Sequence, residues 1–248
     1  MIKQSRLRCE VATVINVYTA SMETEIYHET GMREDVKYEI LRVVPSEHTF
    51  LQVDYTEEPK ELNEVYDAET VSGGYAYARG ITAGFFYLTG KEYGRPVGAV
   101  RRHNEWTSWH GYENTPAYGS GFATVYFTGD QMEIRYHGWK NGEWQGDNCW
   151  NYESGYAIDA EYEVSGSYTY YVNGIPEDIT GGDKGIVNYR TFGRAAAIFA
   201  QDENNDYLLI EIFGTVDEEK ITEFLGSLHT VNVLRMDGGI SAQMLNVR

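Results

Sequence analysis

The chain has 248 residues, of which 42% are hydrophobic, so it is long enough to bury a substantial core. Its formal charge of −18 excludes non-specific binding to a nucleic-acid backbone, which requires a cationic surface. The two cysteines exclude a disulfide-dense scaffold, and no apolar stretch is long enough to span a bilayer.

The N-terminal part is predicted to consist of strands. The chain contains 21 tyrosines and 26 glycines but only 5 prolines, which favours short strands joined by glycine turns. Alternating apolar residues predict three strands, at 11–18, 38–44 and 49–55. We therefore expect residues 1–64 to form a β meander.

The middle of the chain mixes one predicted helix with further strands. Residues 68–79 favour a helix, although Gly73 and Gly74 weaken it. Two apolar runs, 81–88 and 97–100, flank a turn and predict a hairpin. Further strands are predicted at 121–127, 131–136, 168–172, 195–200 and 207–213.

A second helix is predicted from its start signal and its apolar stripe. Thr215 and Glu218 have the spacing of a capping box. Apolar residues then repeat with helical spacing, which predicts one buried face. The residues of this stripe are Ile221, Phe224, Leu225 and Leu228.

The strand predicted at 231–237 ends in a candidate site. Gly238 and Gly239 follow Asp237 and leave the backbone open to close approach by a ligand, and Ser241 adds a hydroxyl. Asp237 is placed to orient a sugar or to act in acid–base chemistry. The simpler alternative is an Asp-Gly turn in which Asp237 accepts hydrogen bonds from local amides.

Several segments together resemble the phosphodiester glycosidase family, in the order typical of that family. The resemblance covers residues from about 65 onward. The segments are TAGFFYLTGKEYGRPVGAV from Thr82, YYVNG from Tyr170, RAAAIF from Arg194, YLLIEIFGTVDEEKITEFLGSL from Tyr207 and VLRMDGGISAQM from Val233.

The resemblance implies a single α+β domain over 1–248, β-rich, with mixed sheets and two main helices; residues 65–248 form its family-like core. It also implies that Arg194 faces the phosphodiester, where a guanidinium suits phosphate oxygens, and that Asp237 is the acidic catalytic group. The ligand-binding positions that it implies are Thr82, Gly84, Arg235, Gly238, Gly239 and Ser241.

Three positions depart from the family pattern and keep more than one function open. Thr82 and Arg235 replace asparagines, and Ile240 replaces a glycine. The leading hypothesis is hydrolysis of a phosphodiester-linked sugar or nucleotide sugar. The alternatives are sequestration of a phosphate-containing sugar or nucleotide without cleavage, and a phage structural or glycan-adhesion module.

We expect the partner to be a small molecule that contains phosphate. We do not expect the protein to bind a nucleic-acid polymer, a membrane or a cofactor. A homo-oligomer is possible. The first residues lack a long apolar run, so we expect no secretory signal and a location in the cytoplasm, or in a host cytoplasm for a viral product.

A second candidate site is the aromatic tract 103–150, which holds all five tryptophans. Exposed aromatic rings stack on sugar or base faces, although strands packing on each other would explain the tract equally simply. By location alone, the tract suggests Glu105, Glu113 and Asp147 as a second catalytic carboxylate. The histidines show no metal-binding spacing, so no metal is expected; they are His103, His110 and His137.

Overall fold

Short strands dominate the computed structural model of the chain, as its composition predicts. The structure describes residues 11–19, 25–47, 49–67, 71–73, 76–84, 91, 93–94, 96, 98–103, 105–110, 122–128, 131–137, 139–140, 143–144, 160–176, 195–238, 242 and 244–246.

Within these residues there are eighteen strands and one ten-residue helix. The strands are β1 (Val11–Thr19), β2 (Ile26–Arg33), β3 (Val36–Val43), β4 (Thr49–Lys60), β5 (Ala76–Thr82), β6 (Gly98–Arg102), β7 (Glu105–His110), β8 (Phe122–Thr128), β9 (Gln131–His137), β10 (Trp139–Lys140), β11 (Glu143–Trp144), β12 (Tyr162–Ser165), β13 (Thr169–Val172), β14 (Ile175–Pro176), β15 (Ala196–Asp202), β16 (Tyr207–Phe213), β17 (Thr230–Gly238) and β18 (Met244–Asn246). Helix α1 spans Glu218–Ser227. The predicted α+β class with two helices therefore matches only loosely a described structure that is mostly β.

Three sheets hold most of the strands, and the described pairs are all antiparallel. The seven-stranded sheet has the order β14-β13-β17-β15-β16-β3-β2. The five-stranded sheet is β7-β6-β12-β8-β9, and the four-stranded sheet is β18-β5-β1-β4. Strands β10 and β11 form a separate ribbon.

The main core is built from residues of all three sheets. Ile15 comes from the four-stranded sheet, Phe127 from the five-stranded sheet and Phe199 from the seven-stranded sheet, and all three are buried. The rings of Phe127 and Phe199 meet edge to face, with centroids 5.5 Å apart. Burial of such a side chain stabilises a fold by about 1.5–3 kcal/mol. This core therefore ties the three sheets together.

A second core lies between helix α1 and the seven-stranded sheet. The predicted stripe of the helix is confirmed, because its apolar residues are buried. Phe224 packs on Tyr38, with ring centroids 4.8 Å apart. No helix in the described residues is long and apolar enough to cross a membrane.

The predicted start of this helix is wrong by two residues. The N-cap is Asp217, whose Oδ1 accepts the Glu219 amide at 2.9 Å, and not Thr215. Glu218 cannot complete a capping box with Thr215, because its carboxylate binds Arg235 instead. An aspartate is as good an N-cap as a threonine, so sequence preference alone did not separate them.

The N-terminal strands exist, but they do not form a meander. Strands β2 and β3 pair with each other and join the seven-stranded sheet through β16, whereas β1 pairs with β4 and β5. Strands from residues 1–64 thus form one end of two sheets whose other strands come from the later part of the chain. Pairing over long sequence distances decided this arrangement, which local alternation does not encode.

Two other predicted elements match the structure only in part. Within the helix predicted at 68–79, residues 71 and 72 are helical, but strand β5 begins at Ala76 and pairs with β1 through partners such as Ile81 and Ile15. Most of the first arm and of the turn of the hairpin predicted over 81–100 lies outside the described residues. The end of the predicted helix shows tertiary pairing overriding the local pattern.

Candidate functional site

Two of the candidate segments meet at one end of the main core. The Ala83 amide donates to the Thr13 carbonyl at 3.0 Å, and the Asp237 amide donates to the Ala83 carbonyl at 2.8 Å. Thr82 is buried and lies in register with Val14. The residues Thr82, Ala83 and Gly84 are therefore held directly beside the end of β17.

Glycine is required on both sides of this junction. A Cβ on Gly84 would lie 2.8 Å from the carbonyl oxygen of Ser165, and one on Gly238 would lie 2.8 Å from that of Ala195. Real Cβ atoms do not approach this closely, so a side chain at either position would push two strands apart. These glycines allow several backbones to converge at the site.

Asp237 is largely buried and bonds within its own turn. It is 8% exposed, and its Oδ1 accepts the amide of Gly238 at 2.7 Å. This is the local Asp-Gly contact of the simpler sequence interpretation. It also fixes the orientation of the carboxylate, because one of its oxygens is tied to the backbone.

Several candidate residues lie outside the described part of the chain, namely Arg194, Gly239, Ser241 and two guesses from the aromatic tract, Glu113 and Asp147. Ala195, which follows Arg194 in sequence, has its carbonyl against Gly238, as noted above. The third guess, Glu105, lies exposed on β7 in the five-stranded sheet.

Arg235, one of the predicted ligand-binding residues, makes contacts within the protein that indicate a structural role. Its Nη1 donates to the hydroxyls of Tyr168 and Tyr170 at 3.0 and 2.9 Å, and to Glu218 Oε1 at 2.5 Å. The side chain is 4% exposed. Its charge is balanced by a carboxylate at the start of helix α1, so the ion pair fixes the helix on the sheet.

A β-bulge explains why Arg235 and Asp237 have different surroundings. Ala196 is in register with Gly238, and Ile198 is in register with Arg235. Between these two pairs the chain advances by two residues along β15 but by three residues along β17. Regular alternation would place residues two apart on one face, but a bulge interrupts it. The sequence does not reveal this bulge.

A buried polar network on the four-stranded sheet was missed by sequence reasoning. Asp54 accepts hydrogen bonds from Asn16 at 2.6 Å, from Tyr18 at 2.5 Å and from Gln52 at 3.0 Å, and Gln52 also donates to Asp67 at 2.9 Å. Burial raises the pKa of Asp54, and these hydrogen bonds oppose the rise. The polar residues at alternate positions of β1 and β4 were the signal that could have revealed it.

Three further residues extend the network, and two of them, Arg102 and His103, reach solvent. Arg102 Nη2 lies 2.8 Å from Asp67 Oδ2, and His103 Nε2 lies 3.2 Å from the same oxygen. The other ring nitrogen of His103 is 2.9 Å from the Tyr162 hydroxyl. Since Asp54 and Asp67 are both engaged by donors, we interpret the network as a joint between the four- and five-stranded sheets.

Metal binding gains no support from these clusters. Among the described residues there is no group of three or more His, Cys, Asp or Glu side chains that would hold a metal ion. Another pair of acidic residues, Asp202 and Asp206, forms ion pairs with Arg42.

Comparison with known proteins gives a structural likeness and no sequence family. No known family model matches the chain, and no curated protein is significantly similar to it. The fold is similar to the catalytic domain of zebrafish N-acetylglucosamine-1-phosphodiester alpha-N-acetylglucosaminidase, auto-inhibited by its pro-peptide. The TM-score is 0.54 at 14% identity, over 95% of this chain and 78% of that one.

A hypothetical protein from Synechocystis also matches, with a TM-score of 0.49 at 13% identity, over 89% of this chain and 57% of that one. At 14% identity the likeness to the zebrafish domain shows the fold alone.

Proposed function

We propose that the chain hydrolyses a phosphodiester-linked sugar or nucleotide sugar at the junction of Thr82–Gly84 with Asp237. The observation that carries the proposal is the 2.8 Å hydrogen bond from the Asp237 amide to the Ala83 carbonyl, which joins two segments far apart in sequence. The fold's likeness to a phosphodiester glycosidase supports it. Fold likeness alone does not establish an activity, so the site must be tested.

Each site residue has a chemical role in this proposal. The Asp237 carboxylate acts as acid or base at the scissile bond, held in place by the Gly238 amide. Gly84 and Gly238 lack side chains, so that the backbones at Ser165 and Ala195 pack against them and hold the junction together. Arg194 supplies the positive charge that a phosphodiester requires on a chain of net charge −18. Arg235 is left out, because Glu218 already balances it.

Binding without cleavage is the second candidate, and a specific observation favours it. One Asp237 oxygen is already engaged by its own turn. Glycosidases generally place two carboxyl groups around the bond, and Asp237 is the carboxylate that the described contacts place at this junction. A protein with the same junction but no second carboxylate would hold its ligand intact.

One experiment separates the two candidates. The protein is incubated with N-acetylglucosamine-1-phosphodiesters and nucleotide sugars, with binding followed by calorimetry and products by phosphorus NMR. Hydrolysis predicts the free sugar with a phosphomonoester, or with a nucleoside diphosphate from a nucleotide sugar, and loss of these products in Asp237→Asn. Sequestration predicts binding without product. The control is Asp35→Asn, which removes an exposed aspartate far along the sequence. Neither binding nor product from the wild-type protein would contradict both.

A second variant tests how much the ligand's phosphate group contributes to binding. Arg194→Met should weaken binding of a phosphorylated ligand by about 1.5–3 kcal/mol, the range for a hydrogen bond to a charged group. A dephosphorylated analogue should bind both proteins equally. Equal affinity of wild type and variant for the phosphorylated ligand would remove Arg194 from the site.

A further inference from the structure

The seven-stranded sheet is open to solvent at one end of the face that carries the main core. Glu39 on β3 and Glu211 on β16 are direct cross-strand partners, and such partners share a face of a sheet. Glu39 lies two residues before Leu41 of the main core. Glu211 lies two residues after Leu209 of the same core, so both glutamates extend this face. Both are partly exposed, and Met32 at this end of the sheet is 70% exposed.

The bulge in β17 brings Asp237 to the same face. Ala197 belongs to the main core and is the direct partner of Glu211. Arg235 and Gly238 are in register with residues of the second core. The two residues between them oppose Ala197 across the bulge, and the second of these is Asp237. Asp237 and Glu211 therefore lie on one face of the sheet, with strand β15 between them.

A second connection joins Glu211 to the junction that holds Asp237. The backbone amide of Met244 on β18 donates a hydrogen bond to the Glu211 carboxylate. Met244 is in register with Ile81 on β5. Two residues further along the chain, the carbonyl of Ala83 accepts the Asp237 amide. Strands β18 and β5 are thus in contact with both acidic residues.

The two carboxyl groups are in different electrostatic surroundings. Burial and the neighbouring Glu39 charge raise the pKa of Glu211 to about 7. On its far side Glu39 pairs with His28 at 2.8 Å, and Lys37 lies on the same face two residues before Glu39. Asp237 instead accepts a backbone amide of its own turn, a contact that stabilises a carboxylate. The surroundings therefore favour a protonated Glu211 beside an ionised Asp237.

We propose that Glu211 is the second carboxyl group of the hydrolytic site and that it donates a proton to the departing phosphate oxygen. This inference rests on the proposed function. Asp237 accepts a proton from a water molecule, and the oxygen of that water bonds to the anomeric carbon. The bond from this carbon to the phosphate oxygen breaks, and that oxygen keeps the electron pair and takes the proton of Glu211. The free sugar leaves with a phosphomonoester or a nucleoside diphosphate, and proton exchange with solvent restores both carboxyl groups.

A proton donor of this strength matches the leaving group. The second pKa of a phosphate monoester is about 6, and general acid catalysis is efficient when the pKa of the donor lies near the working pH. A protonated Glu211 also adds no negative charge beside the phosphate. The backbones of β16 and β17 are two strand spacings apart, about 10 Å, which is compatible with the carboxyl separation of about 6.5–9.5 Å in inverting glycosidases.

The test measures hydrolysis of UDP-N-acetylglucosamine and of the methyl phosphodiester of N-acetylglucosamine 1-phosphate between pH 5 and pH 9, with products followed by phosphorus NMR. Glu211→Gln should lower kcat at pH 6 by about 100-fold. It should also abolish the decline in kcat/KM that the wild-type protein shows above about pH 7. Glu223→Gln is the matched control, because it makes the same change at an exposed glutamate of α1, which packs on the other face of the sheet.

A variant of the neighbouring residue separates a catalytic role of Glu211 from a structural one. Glu39→Gln removes the like charge beside Glu211, so the decline in kcat/KM should move to lower pH. A role of Glu211 in packing alone would leave the pH profile in place. Glutamine at position 211 keeps an acceptor for the Met244 amide, so the melting temperature of Glu211→Gln at pH 6 should match that of the wild-type protein.

The outcomes distinguish this inference from the proposed function. Unchanged hydrolysis in Glu211→Gln, together with loss of hydrolysis in Asp237→Asn, would overturn the role of Glu211 and leave the proposed function standing. A pH profile that Glu39→Gln does not shift would also overturn that role, even if Glu211→Gln fails to fold. Absence of hydrolysis by the wild-type protein would overturn both.

Discussion

Arg235 and Glu163 are both charged residues buried in β-sheets, yet their surroundings are opposite. Arg235 is 4% exposed and donates to two tyrosine hydroxyls and to Glu218. Glu163 is fully buried, and its carboxyl oxygens have no hydrogen-bond partner in the described part of the chain. The difference lies in the partners that the tertiary structure brings to each group and not in burial itself.

This contrast separates a buried charge that stabilises the fold from a buried acid that costs stability. A buried charge with its hydrogen bonds satisfied fixes the geometry of the elements that carry it, here strand β17 and helix α1. A buried acid whose oxygens lack hydrogen-bond partners costs stability instead of adding to it. Three experiments test the comparison.

The largest expected effect is on the satisfied charge. Arg235→Met should lower the free energy of unfolding by about 3–5 kcal/mol, because it leaves the partly buried Glu218 without its cation. Urea denaturation at pH 7 measures the change. Arg33→Met, at an exposed ion pair with Glu29, is the control and should change it by less than about 1 kcal/mol. A similar small loss for Arg235→Met would contradict its structural role.

The second effect concerns the unsatisfied acid and depends on pH. The pKa of Glu163 is raised from 4.5 to about 8, so between these values the folded state retains a proton that the unfolded state releases. Folding stability should therefore fall as pH rises through this window, by at most about 1.4 kcal/mol per pH unit. Glu163→Gln should remove this slope and be more stable than wild type at pH 9.

The pH effect of Glu163 is measured as the difference in stability between the wild-type protein and Glu163→Gln. Glu211 also has a raised pKa, about 7, because of burial and of the Glu39 charge, and its contribution is present in both. Denaturation curves of wild type and Glu163→Gln at pH 5, 7 and 9 would isolate Glu163. Parallel stability profiles for the two proteins would show that Glu163 titrates normally.

The smallest effect tests the helix that supplies the partner of Arg235. Asp217→Ala should lower stability by about 1 kcal/mol, because the Glu219 amide loses its cap next to Glu218. Thr215→Ala is the matched control and should have almost no effect, since Asp217 caps the helix. Thermal unfolding of both variants checks this, and the reverse order of effects would restore Thr215 as the cap.

Local periodicity made several elements predictable. Two-residue alternation located the strands at 11–18, 38–44, 131–136 and 207–213 to within a few residues of their observed bounds. The helical stripe of α1 was equally clear, because both periods are properties of the chain itself. The candidate junction could be suggested only by the order of its segments, and part of it lies outside the described residues.

The tertiary structure decided which strands pair, and the strand pairing decided which groups surround the buried charges. The sequence alone placed Arg235 next to Asp237 in a ligand site, but a bulge in β17 and the arrival of Glu218 gave it structural contacts. Similarly, Glu163 joins Arg101 and Tyr126 only through the order of the five-stranded sheet. Sequence periodicity fixes which residues share a strand face, whereas pairing between distant strands decides which faces meet.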